Sequence, residues 1–437
     1  MFDWLKSYRD PKLIALGFLG ISSGLPLALI LGTLTVWMTE EGISKTTIGL
    51  FASVGLPYTL KFLWAPFIDK ISIPVLSKLL GQRRSWLLVS QGALILSIIL
   101  LGTTDPVSET FRMAQMAFLV AICSATQDIV IDGYRIQILK PSQYGAGGAM
   151  EVFGYRLGMI LAGAGALYLA TFLSWPQTYT LMAALISIGM VTTLLLQKDT
   201  PPKEDEKAYG TSTGATGIVH WVEKVFIAPF SSFMVHDKWV LALLFVILYK
   251  IGDAIIGQMA VVFYLDIGFT KIDIANASKI FGIWATIIGG LIGGGLVTKI
   301  GTLKSLFIFG LTHLLTNVMF IVMALSGADL TIYYCAVVVE NVTGGMTIAA
   351  SVAYMSSLCN LSYSASQYAL LSALAHVPRM IVASSSGWLA TQMGWIPFFG
   401  FAMLLGIPSL MLIKYIPQGR GKDDELTIEG KPSTAVA

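Results

Sequence analysis

The sequence is short of charge. Only 12% of its 437 residues are Asp, Glu, Lys or Arg, while 55% are hydrophobic. A soluble domain carries roughly a quarter charged residues. This chain has too little polar surface to face water on all sides. Histidine and cysteine are scarce too. Four histidines (His220, His236, His313, His376) and three cysteines (Cys123, Cys335, Cys359) show no metal-ligand spacing. The cysteines sit in or beside apolar runs and read as small buried hydrophobes. No Walker A string is present, so ATP is not the energy source in this chain, and there is no nucleophile elbow. An enzyme, a cofactor and a nucleic-acid partner are therefore not expected.

Long apolar runs take the place of charge. They reach 18 to 30 residues, enough to cross a hydrocarbon core of roughly 30 Å at about 1.5 Å per residue. Twelve spans are predicted, from 11–38 to 394–416. The first follows Lys12 and continues past Trp37, too long for the apolar part of a signal peptide and without a small-residue cleavage site. Residues 1–10 mix Phe2, Trp4, Leu5 and Tyr8 with charges and are expected at the membrane interface. The longest polar stretch divides the spans six and six. The expected organisation is an N-terminal six-helix bundle over 1–197, a cytoplasmic linker over 198–236, a C-terminal six-helix bundle over 237–416 and a polar cytoplasmic tail over 417–437. The linker is rich in Gly, Pro and Thr. It ends in an amphipathic stretch, 220–235, expected on the membrane surface. Loop charge sets orientation. With the N-terminus inside, nineteen Lys and Arg residues fall in cytoplasmic segments and four (Lys45, Arg112, Lys271, Lys279) on the other side. Both termini are expected in the cytoplasm, the lipid bilayer being the surrounding partner.

The halves repeat. Ser142-Gln143-Tyr144 opens span 5, with Arg156 twelve residues beyond the tyrosine; Ser366-Gln367-Tyr368 opens span 11, with Arg379 eleven beyond. Gln127-Asp128 in span 4 and Glu340-Asn341 in span 10 are read at comparable depth. Two similar six-helix halves fit the major facilitator fold, an all-α polytopic membrane architecture of twelve transmembrane helices in two bundles. Its midplane cavity would be lined by spans 1, 4, 7 and 10.

Charges inside the spans are the candidate chemistry. Each costs roughly 2.5–3.5 kcal/mol at mid-membrane and is retained for pairing or transport. Asp128, Asp132 and Arg135 share one face of span 4 at i, i+4, i+7. Lys250 and Asp253 stand at i, i+3 in span 7, and His376 and Arg379 at i, i+3 in span 11. Asp128, Asp253 and Glu340 are candidates for proton coupling, since a carboxylate gains or loses its proton as hydration and neighbouring charge change. Lys250–Asp253 and Asp132–Arg135 also read as permanent ion pairs. Gln127, Tyr155, Arg156, Lys250, Asn341, His376 and Arg379 are candidates for substrate binding. Arg156 and Arg379 would clamp an anion by paired hydrogen bonds, or tie carbonyls where Pro378 breaks a helix. His376 reads as a proton relay or as a packing residue. Lys61 reads as a snorkelling cation. The 43 glycines read mainly as close-packing positions, with Gly344-Gly345 a place where a ligand could approach the backbone.

Specific strings resemble one family. They are SGLPLAL at 23–29, LWAPFID at 63–69, GQRRSWLL at 81–88, SATQDIVID at 124–132, GYRLGM at 154–159, LYKIGDA at 248–254, ENVTGGM at 340–346 and SASQYALLSALAHVPR at 364–379. They span nearly the whole chain, which resembles the anhydromuropeptide permeases of the major facilitator superfamily. The resemblance implies proton-driven import of GlcNAc-1,6-anhydroMurNAc peptides across the bacterial inner membrane for peptidoglycan recycling. The implied partners are an anionic sugar-peptide and protons, and a monomer is expected. Tyr58, Tyr155 and Trp284 would meet the sugars. In facilitator transporters, Gly, Asp and Arg between spans 2 and 3 latch the bundles on the cytoplasmic side. Asp69, Arg83 and Arg84 are the candidates, though eleven residues separate Asp69 from Gly81, which opens the Gly-x-Arg-Arg element; a charge cluster that only sets orientation is the other reading. Some family members carry extra helices that this sequence does not show. The alternative function is a facilitator carrying another anionic metabolite, such as an acyl-coenzyme A, a nucleotide-like cofactor or an amino sugar.

Overall fold

A chain in lipid must satisfy its backbone N–H and C=O groups internally, and a helix does so segment by segment. The computed structural model describes residues 8–196, 227–235 and 237–420, and among these it is helical with no strand. Ten helices are long and apolar enough to span a membrane: α1 (Pro11–Glu40), α3 (Gln82–Gly102), α4 (Thr110–Ile138), α5 (Pro141–Ala170), α6 (Trp175–Leu195), α7 (Trp239–Asp266), α8 (Lys271–Ile300), α9 (Thr302–Ser326), α10 (Leu330–Leu358) and α12 (Trp395–Leu412). Two further elements complete twelve. The second, α2 (45–70), is a string of short α and 3-10 turns, broken by Pro57 and Pro66. The eleventh, α11, is Ser364–Ser384 continued by Ser386–Met393, with Pro378 inside it. Proline removes a backbone donor and crowds the preceding turn, and polar residues dilute both segments.

The bundles share a core at one end only. There Leu13 and Leu16 of α1 and Ile131 of α4 pack in one cluster with Phe245, Leu306 and Tyr354 of the other half. Toward the opposite end each bundle keeps a separate core, Leu29, Trp37 and Tyr179 in one, Phe263, Phe320 and Phe399 in the other. The molecule is therefore sealed at one end and parts toward the other. The sealed end carries the loops with Lys70, Arg83, Arg84, Lys140, Lys299 and Lys304. The inter-bundle hydrogen bonds from Asp69–Ser366 to Tyr8–Leu291 fall in its half.

Small residues set the closest helix approaches. A Cβ on Gly154 would overlap the Gly17 carbonyl of α1, and one on Gly289 would overlap the Val342 carbonyl of α10. Gly145 of α5 lies against Val297 of α8. Gly344-Gly345 belongs to the same packing: Gly345 abuts Thr286 of α8 and Gly344 faces His313, so these glycines meet helices and not a ligand.

Two peripheral expectations change. Of the amphipathic stretch, Trp221, Val225 and Phe226 lie outside the described residues. The described part, helix Ala228–Met234, buries Ala228, Pro229 and Phe233 and receives a hydrogen bond from Gln367 at the Pro229 carbonyl (2.8 Å). It docks on the sealed end. Tyr8 likewise reaches across the seam, donating to the Leu291 carbonyl at 2.5 Å.

Candidate functional site

The sealed end is closed by a buried carboxylate. Asp69, at the end of α2, accepts from Arg83 Nη2, from the Ser366 N–H at 2.8 Å and from the Ser366 hydroxyl. Ser366 lies in the first turn of α11, where free N–H groups favour an anion. Arg83 also donates to Ser364 Oγ at 3.2 Å and to Gln137 Oε1 at 3.4 Å. The knot thus joins α2, α3, α4 and α11 across the bundles. Arg84 takes no part in it. Its guanidinium caps α6, donating to the carbonyls of Thr193 (3.1 Å) and Leu194 (2.7 Å). The two adjacent arginines point to different faces of α3.

One layer deeper is an ion-pair network. Asp132 lies 3.2 Å from Lys61 Nζ and 3.1 Å from Arg135 Nη2. Arg135 also pairs with Glu151 of α5 and covers the Tyr368 ring of α11, 4.6 Å from its centroid. The Asp132–Arg135 pair is present as the spacing implies. Lys61 does not snorkel: its ammonium turns inward to Asp132, where Coulomb attraction in a poorly hydrated interior outweighs hydration.

Asp128 sits one turn above Asp132 on the same face of α4. It accepts from Ser23 Oγ at 2.6 Å, and among the described residues no cation lies within ion-pair distance. Gln127 points elsewhere. It is wholly buried against α1, accepting from Ser22 Oγ at 3.1 Å; it packs helices and is not presented to the cleft. Tyr155 is half-buried, its backbone against Gly24. Gly145, Gly148 and Val152 form the face of α5 that meets the other bundle. Arg156 continues that face by one turn, at the level where the bundles part. Half-buried, it makes no ion pair or side-chain hydrogen bond among the described residues.

The C-terminal half holds a second polar cluster. α7 breaks at Lys250 (φ −126°), so that a new helix starts at Ile251 with Asp253 in its first turn. Lys250 Nζ lies 3.5 Å from Asp253. His313 of α9 completes the group, with Nε2 at 3.0 Å from Asp253 and Nδ1 at 2.8 Å from Thr343 of α10. Nothing in its own helix marks His313, because both partners come from other helices. Asn341 directs its side chain at Val337, Glu340 and Thr286, so both of its amide protons are already used. Glu340 is half-buried with Asn341 as its hydrogen-bond partner at 3.0 Å.

The repeat holds for elements and shifts for letters. α4 and α10 are both 29 residues long, each followed by a three-residue 3-10 turn. That register pairs Asp128 with Ile348 and Glu340 with Val120. Glu340 is therefore not level with Asp128; it stands eight residues, or about 12 Å, nearer the open end. Arg156 pairs with His376, not with Arg379. The Ser-Gln-Tyr strings are one turn out of step, yet both glutamines cap equivalent backbone groups: Lys140 N–H donates to Gln143 at 3.2 Å, and Asn360 N–H to Gln367 at 2.6 Å. His376 is exposed, with Nδ1 2.7 Å from the Ser372 carbonyl of its own helix. The Arg379 side chain lies outside the described residues. Trp284 is half-exposed, and Tyr58 packs on the N-terminal bundle's outer core. A cavity of about 930 Å³ lies off this line, between α1, α4 and α6 at the sealed end, with Lys12, Phe18 and Val191 in its wall.

Two six-helix halves, a seal at one end, a parting at the other and charges at the join define a transporter of the alternating-access kind. The family model of the Major Facilitator Superfamily matches residues 16–383, and the chain belongs to that superfamily. Solved structures share the fold: FucP in the outward conformation at TM-score 0.70 and 13% identity, covering 95% of this chain and 100% of that one, and the human organic anion transporter MFSD10 at TM-score 0.63 and 15% identity, covering 93% and 99%. Within the superfamily it belongs to the AmpG-type (anhydromuropeptide permease) family. It is 37% identical to the anhydromuropeptide permease of Escherichia coli K12, over 94% of this chain and 81% of the relative. It is 35% identical to putative transporter AmpG 4 of Rickettsia felis, over 94% and 98%. The chain is a multi-pass membrane permease.

Proposed function

We propose that this permease imports cell-wall-derived anhydromuropeptides across the inner membrane, driven by the proton gradient, and works as a monomer. One observation carries the reading: Arg156, a cation without a partner among the described residues, stands where the bundles part. A free guanidinium suits the carboxylates of an anionic sugar-peptide, which it can hold by two parallel hydrogen bonds. Tyr155 beside it and Trp284 would offer rings to the sugars. The relative from Escherichia coli, named for anhydromuropeptides, supports the substrate class.

The sealed end, with its basic loops, faces the cytoplasm by the positive-inside rule. Both termini then lie inside, and the parted end faces the periplasm, where such fragments are released. Asp128 and Glu340 have neutral partners, Ser23 and Asn341. A mid-membrane carboxylate outside any ion pair is suited to take up a proton and release it when the cavity rehydrates on the other side. Asp128, nearest the join, is the first candidate. Asp128→Asn should abolish gradient-driven accumulation while leaving counterflow, which needs no net proton movement. Normal accumulation by this variant would remove Asp128 from the coupling step.

A further inference from the structure

The cluster around His313 has a property that the carboxylates lack. Asp253, when ionised, only accepts, so His313 Nε2 must donate to it across 3.0 Å. The Thr343 hydroxyl has one proton and three neighbours: the carbonyls of Val339 (2.9 Å) and Glu340 (3.0 Å) and His313 Nδ1 (2.8 Å). If that proton goes to a carbonyl, as is usual for threonine in a helix, Nδ1 must donate and the ring is an imidazolium. If the hydroxyl turns to Nδ1, the ring is neutral and nothing buried is left unpaired, because the carbonyls keep their helical bonds. Both protonation states are complete in hydrogen bonds. Changing between them takes one proton at Nδ1 and one hydroxyl rotation, without the cost of orphaning a buried polar group.

We infer that His313 is a proton-binding residue of the transport cycle, linking α7 through Asp253 to α10 through Thr343. The inference rests on the proton-driven reading above. The ring is buried, 5% exposed, beside a cavity of about 20 Å³ lined by Lys250, Asp253, Asn317 and Thr347 among others. That is room for one water beside the ring. The titratable and charged groups facing the ring are Tyr249, Lys250 and Asp253 on α7 and Glu340 on α10. Tyr249 is spent on the Leu306 carbonyl at 2.9 Å, and α12 offers Gly406 and Ser409 there but no charge. Protonated, His313 bonds both helices as a donor; neutral, it bonds Asp253 as a donor and Thr343 as an acceptor. α7 and α10 belong to the same bundle, so the proton alters how two helices of the moving unit are held together.

Two measurements test this. The first needs no substrate: ¹⁵N NMR of histidine-labelled protein in nanodiscs, with the His313 signals assigned by their loss in His313→Gln. Below the titration both nitrogens should carry protons; above it, only Nε2 should. A neutral ring protonated at Nδ1, or a ring that does not change between about pH 5 and pH 9, would overturn the site. Should His313→Gln not fold, Thr343→Val supplies the assignment, since it removes the Nδ1 partner and shifts the signals of that one ring. The second is substrate-induced proton uptake in proteoliposomes given labelled anhydro-disaccharide peptide. His313→Gln should keep counterflow and lose proton uptake at least roughly tenfold. Unchanged proton uptake would remove His313 from the cycle. If the wild-type protein carries none of this substrate, the substrate reading fails by itself, and the NMR result still decides the proton site.

Discussion

Arg135 holds two carboxylates at once, and its removal would strand charge where water is scarce. Glu151 would lose its ion pair, and Asp132 would keep only Lys61. Breaking a buried pair from one side costs roughly 3–5 kcal/mol, mostly the penalty of the charge left behind. Arg135→Met should therefore lower thermal stability in detergent far more than Lys61→Met, which leaves Asp132 with Arg135. Equal losses would contradict the network as drawn. The sequence made half of this visible. Asp132–Arg135 lies at i, i+3 within one helix and Lys250–Asp253 at the same spacing across the helix start at Ile251, so spacing alone brings them together. Lys61, Glu151, Ser366 and His313 reach their partners from other helices, and no local pattern encodes that meeting. Gln127 and Asn341 looked polar in the middle of spans and proved to be ties between helices. Arg84 looked like the twin of Arg83, but neighbours on a helix point about 100° apart, and only one could reach Asp69.

At the scale of elements, glycine decides which helices move as a pair. Gly154 lies so close to Gly17 that a single methyl group would overlap a carbonyl, whereas Gly163, in the same helix, has nothing within 4 Å of its absent Cβ. Gly154→Ala should cost roughly 1–3 kcal/mol by forcing α1 and α5 apart, read as a lower unfolding temperature. Gly163→Ala should be neutral or slightly stabilising, because alanine favours the helix. Like effects from both would argue against glycine as the spacer. Ten of the twelve elements were legible from apolar length alone. α2 and α11 are interrupted, polar and proline-bearing; their apolar runs were still readable, and the loop charges agree with an even count. They are also the elements that meet at the Asp69–Ser366 seam, where a polar, breakable contact needs polar residues. The repeat was legible as well, though its letters misled by one turn: a glutamine reaches far enough to cap the same backbone group from either position.

The whole molecule has one core at its sealed end and two beyond it, so opening that end must pull apart the shared cluster and the Asp69 knot. Cys359 reports on that event. It is buried in the shared core, at the end of α10. In a Cys123→Ser, Cys335→Ser background, Asp69→Asn should label Cys359 with a permeant maleimide several-fold faster, since the neutral amide accepts more weakly from Arg83 and from the α11 N-terminus. An unchanged rate would show that the seal rests on apolar packing instead. Substrate identity lies beyond fold physics and came from strings shared with relatives. The most direct measurement is uptake of labelled GlcNAc-anhydroMurNAc peptide into vesicles carrying the protein, with an imposed inward proton gradient. The account predicts accumulation above equilibrium that collapses on adding an uncoupler; accumulation indifferent to the uncoupler, or none by demonstrably folded protein, would contradict it.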